Sequence, residues 1–132
     1  MSDYVELRCK SAFSFLQAAS APEDLVSAAA GLDMDCLALA DRDGLYGAPR
    51  FYQAAREAGL HPVVGAGGGL DTGSSLLLLV ENERGYKNLC RLISVGHSGR
   101  PKGESLLRIE QLEPRCEGLL CLTGDALDAV RR

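Results

Sequence analysis

The chain has 132 residues, of which 46% are hydrophobic and 24% charged, a length and balance that suit one globular domain. The formal net charge of -4 argues against a broadly basic nucleic-acid-binding surface, though not against a local basic patch. Five cysteines, an odd number without a Cys-x-x-Cys pair, argue against a disulfide framework and a four-cysteine zinc site.

The longest apolar run, Leu76 to Val80, is strand-sized and far short of the ~20 residues of a membrane-spanning helix. Met1-Ser2-Asp3-Tyr4 lacks the basic and apolar regions of a signal peptide. The expected location is the cytoplasm.

Tyr4-Val5-Glu6-Leu7-Arg8 alternates apolar and polar side chains, which predicts a short first strand. A loop follows through Ala21. Ser20, with Glu23 three residues on and Pro22 between, reads as the N-cap of a helix. Leu25, Val26, Ala29 and Ala30 share one face of that helix, and Gly31 is placed to end it. Cys36 to Ala40 is a continuous apolar run, as in a strand buried on both faces. Ala48 to Ala58 carries Phe51, Ala54, Ala55 and Ala58 at helical spacing.

His61 to Gly65 reads as a third strand, followed by a glycine-rich segment, Gly65 to Gly69. That segment has no following Lys-Ser/Thr and does not open a helix, which argues against a phosphate-binding loop. Ser75 to Val80 is a fourth strand. Asn82 to His97 has Tyr86, Leu89, Cys90, Leu92 and Ile93 on one helical face. After a polar loop, Leu107 to Leu112 is a short helix and Leu119 to Thr123 a fifth strand. Gly124-Asp125 caps a last helix, Asp125 to Arg132. Cys36 and Cys121, inside apolar runs, are expected as small core side chains. The fold class is therefore α/β: a mostly parallel sheet with alternating helices.

Several blocks then share one resemblance. They are Tyr4-Val5-Glu6-Leu7-x-Cys9-x-Ser11-Ala12-Phe13-Ser14-Phe15-Leu16, Asp41-x-Asp43-Gly44-Leu45-Tyr46-Gly47, Phe51-Tyr52, Ala54 to Gly59, and Glu83 to Ser94. In this order they resemble the polymerase-and-histidinol-phosphatase (PHP) domain of bacterial C-family DNA polymerases, the alpha subunits of DNA polymerase III. The Ser-Ala-Phe-Ser-Phe-Leu wording is closest to the error-prone branch. The resemblance implies a partial β/α barrel with divalent zinc or manganese ions at the C-terminal strand ends. The family's ligands are a His-x-His pair after the first strand, a His in an Asp-His loop after the second, and a Glu after the third.

Carried onto this chain, those positions hold Arg8 and Lys10, Arg42 after Asp41, and Gly67. Protonated Lys and Arg offer a metal no lone pair, and clustered cations repel a divalent ion. The remaining candidates, Asp41, Asp43, Cys9, His61 and His97, make no recognisable ligand spacing, and no cofactor is expected. Arg8, Lys10 and Arg42 form an anion pocket on one reading. On the other, they pair with Asp41 and Asp43 and replace the metal's charge. Cys9, beside two cations, is a candidate for a lowered thiol pKa, without a His partner to make it catalytic.

The resemblance implies a non-catalytic domain that supports a polymerase core and contacts DNA only indirectly. A metal-dependent phosphoesterase or exonuclease and a stand-alone phosphate-binding protein are the alternatives. Five strands fall short of the family's closed barrel, so an open edge covered by a helix, a loop or a second copy of the chain is expected.

Overall fold

Cys36 to Ala40 has an apolar side chain at every position, so the backbone that carries it must be covered on both faces. In the computed structural model, which describes residues 3–123, this run opens the strand β1, Cys36–Arg42, with residues 37–41 buried. Helix α1 (Pro22–Gly31) precedes it. After it come α2 (Ala48–Glu57), β2 (His61–Gly69), β3 (Ser75–Val80), α3 (Glu83–His97), α4 (Ile109–Leu112), a 3-10 turn (Glu113–Arg115) and β4 (Leu119–Leu122). The helix expected over Asp125 to Arg132, with its cap at Gly124-Asp125, lies outside the described residues.

The sheet has four strands in the order β1-β2-β3-β4, and it is mixed rather than mostly parallel. Only β1 and β2 pair in parallel; β2–β3 and β3–β4 are antiparallel. The glycine-rich segment explains the difference. It does not leave the sheet but extends β2 to Gly69, so that only residues 70–74 remain to reach β3. A parallel crossover needs about a dozen residues or more, whereas a short link permits only a hairpin. As a result β1, β2 and β4 all point toward one end of the sheet, here called the mouth.

The expected strand at Tyr4 to Arg8 is absent. The segment lies beside β1 as a covering loop: Ala38 N–H donates to the Glu6 carbonyl at 3.0 Å and Ala40 N–H to the Cys9 carbonyl at 2.8 Å. A regular ladder is broken because the Glu6 carboxylate itself takes the Arg8 N–H at 2.8 Å. Ser20 likewise does not cap α1. The cap residue is Ala21, without a side-chain bond, and Pro22, Glu23 and Asp24 fill the first turn. Pro at this position leaves no orphan N–H and the two acids suit the helix dipole, so the end is served without a hydroxyl. Cys36 is half-buried and Cys121 exposed. Among the described residues no strand lies beyond β4.

Alternation divides the sheet's side chains. Leu37 and Leu39 pack under α1 and α2 with Val26, Ala29, Phe51 and Ala55. Leu78 packs under α3 with Leu89 and Leu92. The opposite face carries Ala38, Ala40, Leu77 and Leu79, against which Leu7, Val63 and Leu122 rest. Complete burial of Phe51 contributes about 1.5–3 kcal/mol of transfer free energy.

On that opposite face small residues, Ala38 and Ala40 on β1 and Gly65 on β2, stand beside Leu77 and Leu79 on β3. At Gly65, a Cβ would lie 2.5 Å from the Leu78 carbonyl oxygen and 2.7 Å from Leu79 Cδ2. The segment before α1 is also tied to the end of β4. Arg8 Nη2 donates across the mouth to the Thr123 carbonyl at 2.9 Å.

Helix α3 is fastened at its start by Asn82, whose Oδ1 accepts the Gly85 N–H at 3.0 Å. Gly85 is packed directly against the Gly118 carbonyl, where any Cβ would collide with backbone. Substituting Gly85→Ala is therefore expected to destabilise the chain by about 1–3 kcal/mol, the cost of overpacking. Gly31→Ala, in the last turn of α1 with nothing within 4 Å of its Cβ position, is expected to gain roughly 0.5–1 kcal/mol. Urea midpoints of the two variants against the parent chain measure both.

Candidate functional site

The loops at the mouth are organised by one carboxylate. Asp41, at the C-terminal end of β1, is only 2% exposed. Its Oδ1 accepts from the Ser11 N–H and the Ser14 hydroxyl, and its Oδ2 from the Ser11 hydroxyl, each at 2.7 Å. A carboxylate only accepts, so both hydroxyls must donate to it. Their lone pairs then serve other donors: the Phe13 N–H reaches Ser11 Oγ at 3.2 Å and the Arg42 N–H reaches Ser14 Oγ at 3.0 Å. The network ties the loop after Lys10 to the end of β1, and no buried side-chain polar atom among the described residues lacks a partner.

The three cations predicted to share this region each have a separate partner. Arg8 spans to Thr123. Lys10 Nζ donates to Gln17 Oε1 at 2.9 Å. Arg42 pairs with its neighbour Asp43, Nε to Oδ2 at 3.3 Å, with its own side chain 60% exposed. Asp41 is held by serines, not by any of the three. Gly67 pairs with Arg42 across β1 and β2, and its carbonyl accepts the Asp43 N–H at 2.8 Å.

Asp43 has φ 56°, in the left-handed region that Asp tolerates better than most residues. Burial raises its carboxyl pKa, an effect opposed by Arg42 and His97.

His97, at the end of α3, does reach the mouth. Its Nε2 lies 2.8 Å from the Asp43 carbonyl and its Nδ1 lies 3.1 Å from the Glu104 carbonyl. Both neighbours are acceptors, and a neutral imidazole has one N–H to offer them. His61 stands at the opposite end of β2, beside an apolar groove of about 620 Å³ lined by Pro49, Tyr52, Pro62, Val63 and Tyr86. Cys9 is half-buried. Burial, followed by the negative charges of Glu6 and Asp41, pushes its thiol pKa up rather than down. The sequence reading weighed Arg8 and Lys10, but their charged ends lie on other partners.

Among the described residues, no three His, Cys, Asp or Glu side chains are grouped as a metal would need. The residues that sequence reasoning missed are Ser11 and Ser14. They stand three apart before a turn, a pattern with many uses, and nothing local links them to an aspartate some thirty positions on.

The fold, a mixed α/β sheet with its polar loops gathered at the strand ends, is shared with two solved structures. The structure is similar to a protein from Bifidobacterium adolescentis assigned as a metal-dependent phosphoesterase, with TM-score 0.59 and 20% identity over 75% of this chain and 35% of that one. It is also similar to an amidohydrolase from Chromobacterium violaceum, with TM-score 0.57 and 20% identity over 73% of this chain and 34% of that one. Residues 6–132 match the PHP domain family, and the chain belongs to that family.

Three relatives share one name. The error-prone DNA polymerase of Bdellovibrio bacteriovorus is 39% identical over 130 residues, 90% of this chain and 12% of that protein. That of Anaeromyxobacter sp. strain K is 50% identical over 101 residues, 73% of this chain and 9% of that protein. That of Pseudomonas aeruginosa is 43% identical over 122 residues, 92% of this chain and 12% of that protein. The chain thus spans about a tenth of the length of these relatives. No helix among the described residues is long and apolar enough to cross a membrane.

Asp41→Asn presents an amide N–H₂ to a site built wholly of donors. It is expected to cost about 2–4 kcal/mol in a chemical-denaturation experiment, as breaking a buried charged network does. Asp43 works in the other direction. Its folded-state pKa is raised, so the folded chain holds more protons than the unfolded chain between the ordinary carboxylate range and the raised value. Stability therefore falls as pH rises through that window. In Asp43→Asn this part of the melting profile is expected to flatten, as thermal melts at a series of pH values would show. Cys9 is expected to react with a thiol reagent at neutral pH more slowly than a free cysteine, as labelling of the folded and unfolded chain followed by peptide mapping would establish.

Proposed function

We propose that this chain is a PHP domain in which a hydrogen-bonded hub has taken the place of metal chemistry, and that it serves an error-prone DNA polymerase in DNA replication and repair as a non-catalytic, structural domain. The observation that carries this reading is the occupation of Asp41. Each of its oxygens is already met by donors on Ser11 and Ser14, so an entering cation would have to displace them. The side chains at positions 8, 10 and 42 offer donors and positive charge only. This donor set does not suit a divalent cation, and no step is derived through one.

The polymerase connection rests on the relatives' shared name and on their identity to this chain. In this reading the partner of the domain is the polymerase core, and DNA is touched through that core. The separate partners of Arg8, Lys10 and Arg42 favour a structural use of their charge over a converging phosphate pocket.

The test is the divalent-metal content of the purified chain after exposure to zinc and manganese, measured by elemental analysis. The expected result is no stoichiometric metal. One or more tightly held ions per chain would overturn the proposal, and phosphoesterase assays would then be the next step.

A further inference from the structure

The loop that Asp41 anchors displays more than it needs for its own fold. Residues 12–20 form a closed loop whose ends meet through the Ala12 N–H and the Ser20 carbonyl at 2.7 Å. Inside it, the Ser14 carbonyl accepts from both Gln17 and Ala18. Phe13 is 38% exposed and has the Arg50 guanidinium 5.7 Å from its ring centroid. Phe15 and Leu16 turn outward and are 81% and 90% exposed. Leu16 also sits at φ 64°, a conformation that costs a branched apolar residue strain and that clusters at functional sites. A tip this apolar, on a base this firmly pinned, is preorganised for contact.

We infer that Phe15 and Leu16 form a plug that docks the domain into an apolar socket on the polymerase core, an inference that rests on the structural role proposed above. The relatives supply the occupant, because the matched region is about a tenth of each polymerase and the rest is available to cover it. Charge gives the socket a further property. Beside the plug, Lys10 is held by the neutral amide oxygen of Gln17, which leaves its charge open to a carboxylate on the socket's rim.

The test puts this chain in place of the matching segment of the Pseudomonas aeruginosa polymerase, to which it is 43% identical over 122 residues. The chimera is compared with its F15S/L16S form, and each domain is also melted alone. The isolated chain is expected to melt alike with and without the substitutions. The thermal half-life of DNA synthesis by the substituted chimera is expected to fall roughly tenfold or more, as for a buried interface anchor.

Equal half-lives for the two chimeras would overturn the plug and leave the structural role standing. An unsubstituted chimera without polymerase activity would overturn the structural role itself, and the plug with it. Equal destabilisation of isolated chain and chimera would assign both side chains to the domain's own fold and overturn docking. Concentration-dependent association of the isolated chain that F15S/L16S abolishes would assign the plug to a second copy instead and overturn the polymerase socket.

Discussion

A carboxylate withdrawn from water is tolerated only where donors replace its hydration, and at Asp41 they do so completely. Two hydroxyls and a backbone N–H converge on it at the same short distance. Everything at the mouth follows from that constraint. The two serines fix the start of the loop after Lys10. Through Ser14 they also fix the backbone at Arg42. The loop from Asp43 to Gly47 departs from that fixed point, and α2 begins where it ends. A buried charge with one donor removed costs more than a lost neutral bond, so the network has no redundant member.

The sheet supplies the geometry in which that network sits. Three strands point the same way and place their ends together, while the single reversed strand, β3, is forced by the short link after Gly69. The N-terminal segment and the end of β4 are joined by the Arg8–Thr123 hydrogen bond. Arg8, Lys10 and Arg42, all near this end, each have a partner of their own.

Much of this was legible from residue patterns, and the exceptions have physical causes. Ser75 to Val80 and the helix from Glu83 to His97 were readable because period and boundary residues agree, with Asn82 capping as its side chain allows. The extension of β2 was not, because glycine has no side chain to alternate. Four glycines within Gly65 to Gly69 therefore look like a loop although the backbone keeps its ladder. The strand expected at Tyr4 to Arg8 failed because a side chain, Glu6, competes for the backbone donor that pairing would need. At the site, Asp41, Arg42 and Asp43 could be singled out by their place after a strand. Their partners could not, since hydrogen bonds to Ser11, Ser14 and His97 join positions far apart in the chain.

The bond between Arg8 and Thr123 joins residues 115 positions apart, and such a link has an entropic character of its own. The free energy needed to close so large a ring grows only slowly with length, but it must be met before any return from the contact. Local contacts such as the β2–β3 hairpin carry no such cost, so this one bond is the costliest in sequence separation among those described at the mouth.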